Sequence, residues 1–212
     1  MTGDALQIVL VDDHLALRKG IELLLRAEGI RVTGSTATVE GGRDMVLARL
    51  PDVAVVDVAL DGGSGVDLAR QVLARRPDTG ILLYTGGTLD QTTLREALGC
   101  GARGVALKAG APAELIEAIR TVAGGGQYVD PRLAALLDAR ERGALCLLTR
   151  REREILDFLA GGLSGEEVAV RLVLSPQTVQ THVRNLMRKL GARTRVHALA
   201  LALRHRETEL VP

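Results

Sequence analysis

The sequence predicts an α/β domain with a doubly wound, five-stranded parallel sheet, followed by an all-α domain of four short helices. The chain has 212 residues, enough for two domains that each bury a core. Apolar runs alternate with amphipathic stretches through the first half of the sequence. The second half instead carries repeated helix-start signals, which is typical of a small helical domain.

Five short apolar runs, each bounded by turn residues, predict the strands of the sheet. They fall at 8–11, 31–35, 53–56, 81–84 and 104–107, and the run at 31–35 is the weakest. Amphipathic stretches lie between them, and one begins at Pro112, a residue suited to the first turn of a helix. Strands that alternate with helices imply a parallel sheet covered on both faces, with ligands bound beyond the carboxyl ends of the strands.

Polar side chains stand at the carboxyl ends of four predicted strands. Asp12 and Asp13 follow the first strand, Asp57 the third, Thr85 the fourth and Lys108 the fifth. Three carboxylates and one ammonium sum to a formal charge of −2, and their repulsion favours a divalent cation, so we expect a Mg²⁺ site. A carboxylate beside such a cation can attack phosphorus and form an aspartyl phosphate, whose oxygens the cation, Lys108 and the Thr85 hydroxyl would bind.

These residues resemble those of response-regulator receiver domains, which have a flavodoxin-like fold. The similarity covers about residues 1–124 and rests on the motif VDDH, the lone Asp57, Thr85 followed by a small residue, and Lys108. It implies that Asp57 accepts a phosphoryl group and that Thr85 and Lys108 act as switch and phosphate-binding groups. The Mg²⁺ ligands that it implies are Asp13, Asp57 and the backbone carbonyl of Ala59, with Asp12 assisting through water.

Two residues depart from the receiver pattern. Asp61 stands four residues after the acceptor, where the family usually has proline, and three glycines make the loop DVALDGGSG softer. Val105 stands where an aromatic side chain normally turns inward when the threonine engages phosphate. We therefore expect any switch to run mainly through Thr85 and the loop after it.

Helix-start signals define the second half of the chain. Starts are predicted at Thr149, Ser164, Ser175 and Thr194, and the first two have glutamate three residues later, as in a capping box. Upstream, the glycines at 124–126 end the last helix of the first domain, and a short helix is expected from 131 to about 142. The predicted division is therefore a first domain at 1–124, a linker at 125–147 and a helical domain at 148–212.

The third helix of this domain has the pattern of a DNA-reading helix. An apolar stripe of Val179, Val183, Leu186 and Leu190 predicts its packing face, and the opposite face is polar and basic. The first 126 residues carry 13 basic and 16 acidic side chains, whereas 127–212 carry 14 and 10, so the positive charge lies in the second half. The residues expected to contact base edges, a thymine methyl or phosphates are Thr178, Gln180, Thr181, Arg184, Arg188 and Lys189.

The runs LTRREREIL, GLSGEEVA and LSPQTVQTHVRNLMRKLGA resemble the LuxR-type helix-turn-helix of the NarL/FixJ response regulators, over about 148–205. The family often has lysine or arginine at the position of Gln180, so one cationic contact differs. The resemblance implies a dimer contact on DNA through Val196, Ala198, Leu199 and Leu203.

Together these features predict a two-component transcriptional regulator and not an enzyme. A sensor histidine kinase would phosphorylate Asp57, and the active homodimer would bind double-stranded DNA, with RNA polymerase as a further candidate partner. The short apolar stretch at 6–11 fits neither a signal peptide nor a membrane span, so we expect a cytoplasmic protein. Two isolated cysteines, Cys100 and Cys146, argue against a disulfide framework or a zinc cluster.

Two alternative functions differ from this one in the residues that they require. A hydrolase of the haloacid dehalogenase type would require an acid two residues after the nucleophile, where this chain has Ala59. A DNA-binding regulator whose receiver answers to a ligand or to protein contacts, without phosphate, stays open because of Asp61 and Val105.

Overall fold

The computed structural model describes residues 5–86, 89–136 and 148–209, and for 204–209 it describes the helix but not the side chains. It confirms the predicted fold class, a parallel sheet with helices on both faces followed by a helical domain. No helix in these ranges is both long enough and apolar enough to cross a bilayer.

In the described residues, the sheet contains the five predicted strands and a sixth, from the predicted linker, that the sequence analysis missed. The strands are β1 (Gln7–Val11), β2 (Arg31–Thr36), β3 (Val53–Asp57), β6 (Gly80–Thr85), β7 (Gly104–Leu107) and β8 (Tyr128–Val129). The sheet order is β2-β1-β3-β6-β7-β8, and all neighbouring strands pair in parallel. A separate antiparallel hairpin, β4 (Ala59–Leu60) and β5 (Gly63–Ser64), lies in the loop after Asp57.

Alternate residues of each strand pack on opposite faces of the sheet, as buried parallel strands do. On one face Ile8, Leu10 and Val55 pack in a cluster with α1 (Leu15–Ala27) and α5 (Pro112–Ala123). On the other face Val9 and Val56 pack with α2 (Val39–Arg49), α3 (Gly65–Arg75) and α4 (Gln91–Gly99).

The described part of the linker, residues 125–136, contains a strand that the sequence analysis did not predict. The helix α5 ends at Ala123, as the glycines predicted, and the chain then forms β8 beside β7. The helix α6 (Pro131–Ala134) begins at the predicted Pro131, with the Asp130 side chain accepting from the Arg132 amide. The rest of the expected linker helix, and Cys146, fall on residues 137–147, outside the described ranges.

Residues 148–209 form four helices, as predicted: α7 (Arg150–Ala160), α8 (Gly165–Leu172), α9 (Pro176–Leu190) and α10 (Arg195–Glu209). Both capping boxes are present, at Thr149 with Glu152 and at Ser164 with Glu167. The Ser175 side chain caps α9 through the Thr178 amide. Val179, Val183, Leu186 and Leu190 are buried, so the predicted stripe of α9 is the packing face.

The two domains are docked, and α10 forms much of the contact. This helix packs against α4, α6 and β8 of the first domain and its linker as well as against α7 and α9. The Thr194 hydroxyl donates a hydrogen bond to the Leu98 carbonyl at the end of α4 and accepts one from the His197 amide. Buried side chains on the face of the sheet that carries α2, α3 and α4 therefore form one continuous apolar cluster with those of the helical domain.

Candidate functional site

The polar residues at the strand ends come together at one edge of the sheet, as the parallel topology requires. Asp57 is the last residue of β3 and lies beside Tyr84, so Thr85 at the end of β6 is one residue further along the same edge. The Lys108 ammonium lies 2.5 Å from Asp57 Oδ2 and 2.7 Å from Asp12 Oδ2. Its backbone amide also donates to the Thr85 carbonyl. The site thus contains a cation that bridges two carboxylates.

Burial and pairing shift the proton affinities of this site. Asp12 and Asp57 are almost fully buried, and burial is the main cause that raises the pKa of the Asp57 carboxyl above its ordinary value. The Asp12 charge raises that pKa further, while the hydrogen bond from Lys108 opposes the shift. Burial alone would lower the pKa of Lys108, but its contacts with Asp12 and Asp57 outweigh burial and raise it. Lys108 is therefore a protonated, fixed cation at neutral pH.

Four residues offer ligand atoms for a cation at this edge. One atom from each of Asp12, Asp13, His14 and Asp57 lies within 4.8 Å of the others. Carboxylate oxygens are the ligands that divalent cations such as Mg²⁺ prefer, so the cluster fits such an ion. The sequence analysis assigned no metal role to His14, whose Nδ1 lies 2.6 Å from Asp13 Oδ1. The position of His14 directly after Asp12 and Asp13 was the sequence signal for its place in this cluster.

Backbone amides of the loop after β3 bind the carboxylates of Asp57 and Asp13. The Ala59 amide donates to Asp57 Oδ1 at 3.2 Å, and the Asp61 amide donates to Asp13 Oδ2 at 2.8 Å. Gly65 begins α3 directly against the Asp57 backbone, because a Cβ at this residue would overlap the Asp57 carbonyl oxygen. The loop therefore orients both carboxylates through backbone groups.

The two departures from the receiver pattern occupy different surroundings. Asp61 is exposed at the turn of the β4–β5 hairpin, beside the acidic cluster. Val105 is fully buried and pairs with Val129 of β8. The Val105 side chain is therefore part of the core, on the strand next to β8.

The polar residues predicted to contact DNA all lie on α9, but they differ in exposure and in their hydrogen-bond partners. Gln180, Thr181, Arg184 and Arg188 are exposed, whereas Thr178 is partly buried, with its hydroxyl 2.8 Å from that of Ser175. The Thr181 hydroxyl donates to the Gln177 carbonyl, and Arg188 donates to Asn185 at 3.3 Å. The exposed group forms one polar face opposite the buried stripe.

Lys189 has an internal partner that the sequence analysis did not foresee. Its ammonium donates to Glu152 Oε2 at 2.7 Å, and the Glu152 side chain is 5% exposed. Burial raises the pKa of the Glu152 carboxyl, but the bonds from Lys189 and Thr149 outweigh it, so the net pKa lies below its ordinary value. Lys189 therefore joins α9 to the start of α7.

Lys189→Met is expected to lower the free energy of unfolding by about 2 kcal/mol at pH 7, because it leaves a buried carboxylate without its cation. A carboxyl whose folded pKa is depressed stabilises the fold above its unfolded pKa, and the contribution is lost as the pH falls through the folded value. The difference between variant and wild type should therefore shrink below about pH 4.5, the ordinary value for this carboxyl. Urea unfolding of both proteins at several pH values measures this difference in the free energy of unfolding.

The matched control is Arg70→Met, which removes the exposed Arg70–Asp67 pair, 2.8 Å long. Exposed pairs contribute less than about 1 kcal/mol, so this variant should lose much less stability. Equal losses for the two variants would contradict an internal role for Lys189.

Comparisons with known proteins match both halves of the chain. The family model for the response regulator receiver domain matches residues 8–120, and that for bacterial regulatory proteins of the luxR family matches residues 147–202. The DNA-binding transcriptional activator DevR/DosR of Mycobacterium tuberculosis is 38% identical over 203 residues, covering 92% of this chain and 93% of the relative. The transcriptional regulatory protein UhpA of Escherichia coli is 36% identical over 189 residues, covering 87% and 91%.

A solved structure of the two-component response regulator RcsB in complex with DNA also matches. It covers 95% of this chain and 99% of that one, with a TM-score of 0.58 and 23% sequence identity. A likeness at this identity shows a shared fold.

Proposed function

Because this chain belongs to the two-component response regulators that join a receiver domain to a LuxR-type DNA-binding domain and regulate transcription, we propose that phosphorylation of Asp57 by a sensor histidine kinase controls its dimerisation and its binding to specific DNA sites. The observation that carries this proposal is the Lys108 ammonium held 2.5 Å from the buried Asp57 carboxylate. A fixed cation at that distance suits an acceptor of a phosphoryl group.

The transfer needs little from the protein beyond positioning and charge. One Asp57 oxygen would attack the phosphorus of a phosphohistidine, and the phosphorus–nitrogen bond would break with its electron pair left on the histidine. Lys108 would then neutralise phosphoryl oxygens in place of the carboxylate that it now contacts. Thr85, buried one residue beyond the strand partner of Asp57, would donate its hydroxyl to another of these oxygens.

The acidic cluster would hold Mg²⁺ through Asp13, Asp57 and the Ala59 carbonyl, with Asp12 assisting through water. The ion would supply positive charge beside the phosphoryl oxygens. The chain's own contribution is to keep the carboxylates close together, which the Lys108 bridge and the Asp61 amide support.

DNA binding is assigned to α9. Its exposed residues Gln180, Thr181 and Arg184 would contact base edges, and Arg188, Lys189 and Thr178 would contact phosphates. For Lys189 this requires sharing its ammonium with Glu152. The expected dimer would form on paired half-sites through α10.

In the docked chain Val196, Ala198 and Leu199 of α10 are already buried. The neighbours of α10 are α7 and α9 of its own domain, together with α4, α6 and β8. A dimer contact through the side of α10 that packs on α4, α6 and β8 would require α10 to leave them, and this separation is the step that phosphorylation would control.

Several finer assignments stay predictions. They are the homodimer, contact with RNA polymerase, a cytoplasmic location, the lack of an enzymatic activity, and the domain division at 1–124, 125–147 and 148–212. The alternative function, a regulator whose receiver works without phosphate, is favoured by Asp61 beside the acidic cluster and by the buried Val105 in place of an aromatic switch residue.

The deciding experiment is intact-mass analysis after incubation with acetyl phosphate and Mg²⁺. The wild-type chain is expected to gain roughly 80 Da, the mass of one phosphoryl group, and Asp57→Asn to gain nothing. Asp61→Asn is the matched control, because it changes an exposed carboxylate of the same loop and should leave the gain intact. A wild-type chain that stays unmodified while a known receiver is labelled would favour the phosphate-independent alternative.

A further inference from the structure

A crevice of about 510 Å³ separates the receiver from the helical domain at the start of α9. Its receiver side is formed by Arg103 and the glycine turn after α5. Its other side is formed by the first residues of α8 and α9 and by Arg195, the first residue of α10. The crevice is distinct from the acidic site, which lies beyond the carboxyl ends of the strands. One of its lining residues, Gln180, is also a proposed DNA contact.

Two half-buried arginines face this crevice without an acceptor. In the part of the chain that the structure describes, neither the Arg103 side chain nor the Arg195 side chain has a hydrogen bond or an ion pair. Burial, and then the positive charge of Arg103, lower the pKa of Arg195 below its ordinary value. A guanidinium presents five N–H donors, and leaving them unmatched in a partly closed space is unfavourable. Among the described residues, the two guanidinium groups therefore lack a negative partner.

Small residues line the crevice next to both guanidinium groups. A Cβ placed on Gly125 would lie 3.9 Å from Arg103 Nη1 and 3.9 Å from the Ser164 Cβ, and one placed on Gly165 would lie 3.8 Å from Arg195 Nη1. The wall between the arginines is thus made of Gly125, Ser164 and Gly165. It leaves room for a ligand that both side chains can reach.

The N-terminal end of α9 adds to the positive potential of the crevice. Both α8 and α9 begin there, and a helix N-terminus carries about half a positive charge. Glu166 lines the crevice and is exposed, and the Glu167 carboxylate accepts from Ser164 in the same first turn. These two carboxylates offset the positive end of α8, so the guanidinium groups and the start of α9 carry the positive potential.

We propose that this crevice binds a free phosphate-type oxyanion, held between Arg103 and Arg195. The planar donor forks of two arginines match the oxygens of such an anion. Arg103 belongs to the receiver and Arg195 to the helical domain, so the complete site exists while the domains are docked. A bound anion therefore stabilises the docked arrangement by mass action.

The probe is inorganic phosphate, titrated by calorimetry into the full-length, unphosphorylated chain in EDTA, with ionic strength held constant by sodium chloride. We expect saturable binding to one site and a rise in the thermal unfolding midpoint. Arg103→Gln and Arg195→Gln are each expected to weaken binding at least tenfold. Arg76→Gln, which removes an exposed arginine elsewhere on the receiver, should leave it unchanged.

Three outcomes of these measurements would contradict the proposed site or assign it to DNA. Absence of saturable phosphate binding would contradict the proposed site. So would an Arg76→Gln variant that weakens phosphate binding as much as Arg103→Gln and Arg195→Gln do. A DNA backbone phosphate is the other source of the same chemistry, and a loss of duplex affinity in Arg103→Gln in phosphate-free buffer would assign the crevice to DNA instead. Because these measurements use neither Mg²⁺ nor a phosphodonor, their failure is independent of the proposed role of Asp57.

Discussion

Gly126→Ala is expected to open the docked chain. A Cβ at Gly126 would overlap the Gly162 carbonyl oxygen across the domain interface and would also lie 2.9 Å from Thr121 Cγ2. A backbone carbonyl cannot rotate away as a side chain can. Overpacking of this kind costs about 1–3 kcal/mol, and separation of the domains relieves the part that crosses the interface. The ratio of open to docked chain should therefore rise by roughly tenfold or more.

Small-angle scattering measures the change in overall size, and hydrogen exchange measures the exposure of α4 and α10. The variant should have a larger radius of gyration and faster exchange at both helices. It should also bind duplex DNA more tightly than wild type without phosphorylation, because the start of α9 no longer adjoins the receiver.

The control for this variant is Gly124→Ala, two residues earlier in the same turn. A Cβ at Gly124 would meet its nearest atoms at 3.5 Å and 3.6 Å, which is ordinary contact distance. This variant should remain docked. If Gly126→Ala matched it in size, exchange and DNA affinity, the contact with Gly162 would not hold the domains together.

Gly65→Ala is expected to reduce the rate of Asp57 phosphorylation by about 100-fold, because displacement of a reacting group by about 1 Å has an effect of that size. The new Cβ would overlap the Asp57 carbonyl oxygen and would lie 3.0 Å from Val56 Cγ1, so β3 or the start of α3 must shift. The receiver should also lose about 3 kcal/mol of stability, as overpacked cores do. Quenched-flow labelling with a phosphodonor, followed by mass analysis, gives the rate.

Gly86→Ala provides the comparison at the same site. Gly86 directly follows Thr85, but a Cβ there would meet nothing within 4 Å. Phosphorylation and stability should stay close to wild type. Similar labelling rates for the Gly65 and Gly86 variants would show that the Gly65 contact does not position Asp57.

Local signals in the sequence were sufficient for the elements of both domains. Buried strands read as apolar runs, and the strand bounds agree with the prediction within one or two residues. The capping boxes at Thr149 and Ser164 depend on residues three apart, so they could be recognised without the fold. Parallel topology then implied that the strand-end residues would meet, and Asp12, Asp57 and Lys108 do.

Contacts between distant segments had no such signal. The two-residue strand β8 exists because the exposed edge of β7 offers backbone partners to the linker, a cause that a short sequence window does not contain. The Lys189–Glu152 pair joins residues 37 positions apart, and both had other roles in the sequence, one as a phosphate contact and one as a cap.

The sequence by itself determined the two folds, the acidic edge of the sheet and the polar face of α9, because periodicity, caps and strand ends are encoded by neighbouring residues. The tertiary structure alone decided how the domains meet: α10 against α4, Gly126 against Gly162, and Arg103 facing Arg195. Such contacts depend on complementary shapes and charges that become adjacent after both domains have folded.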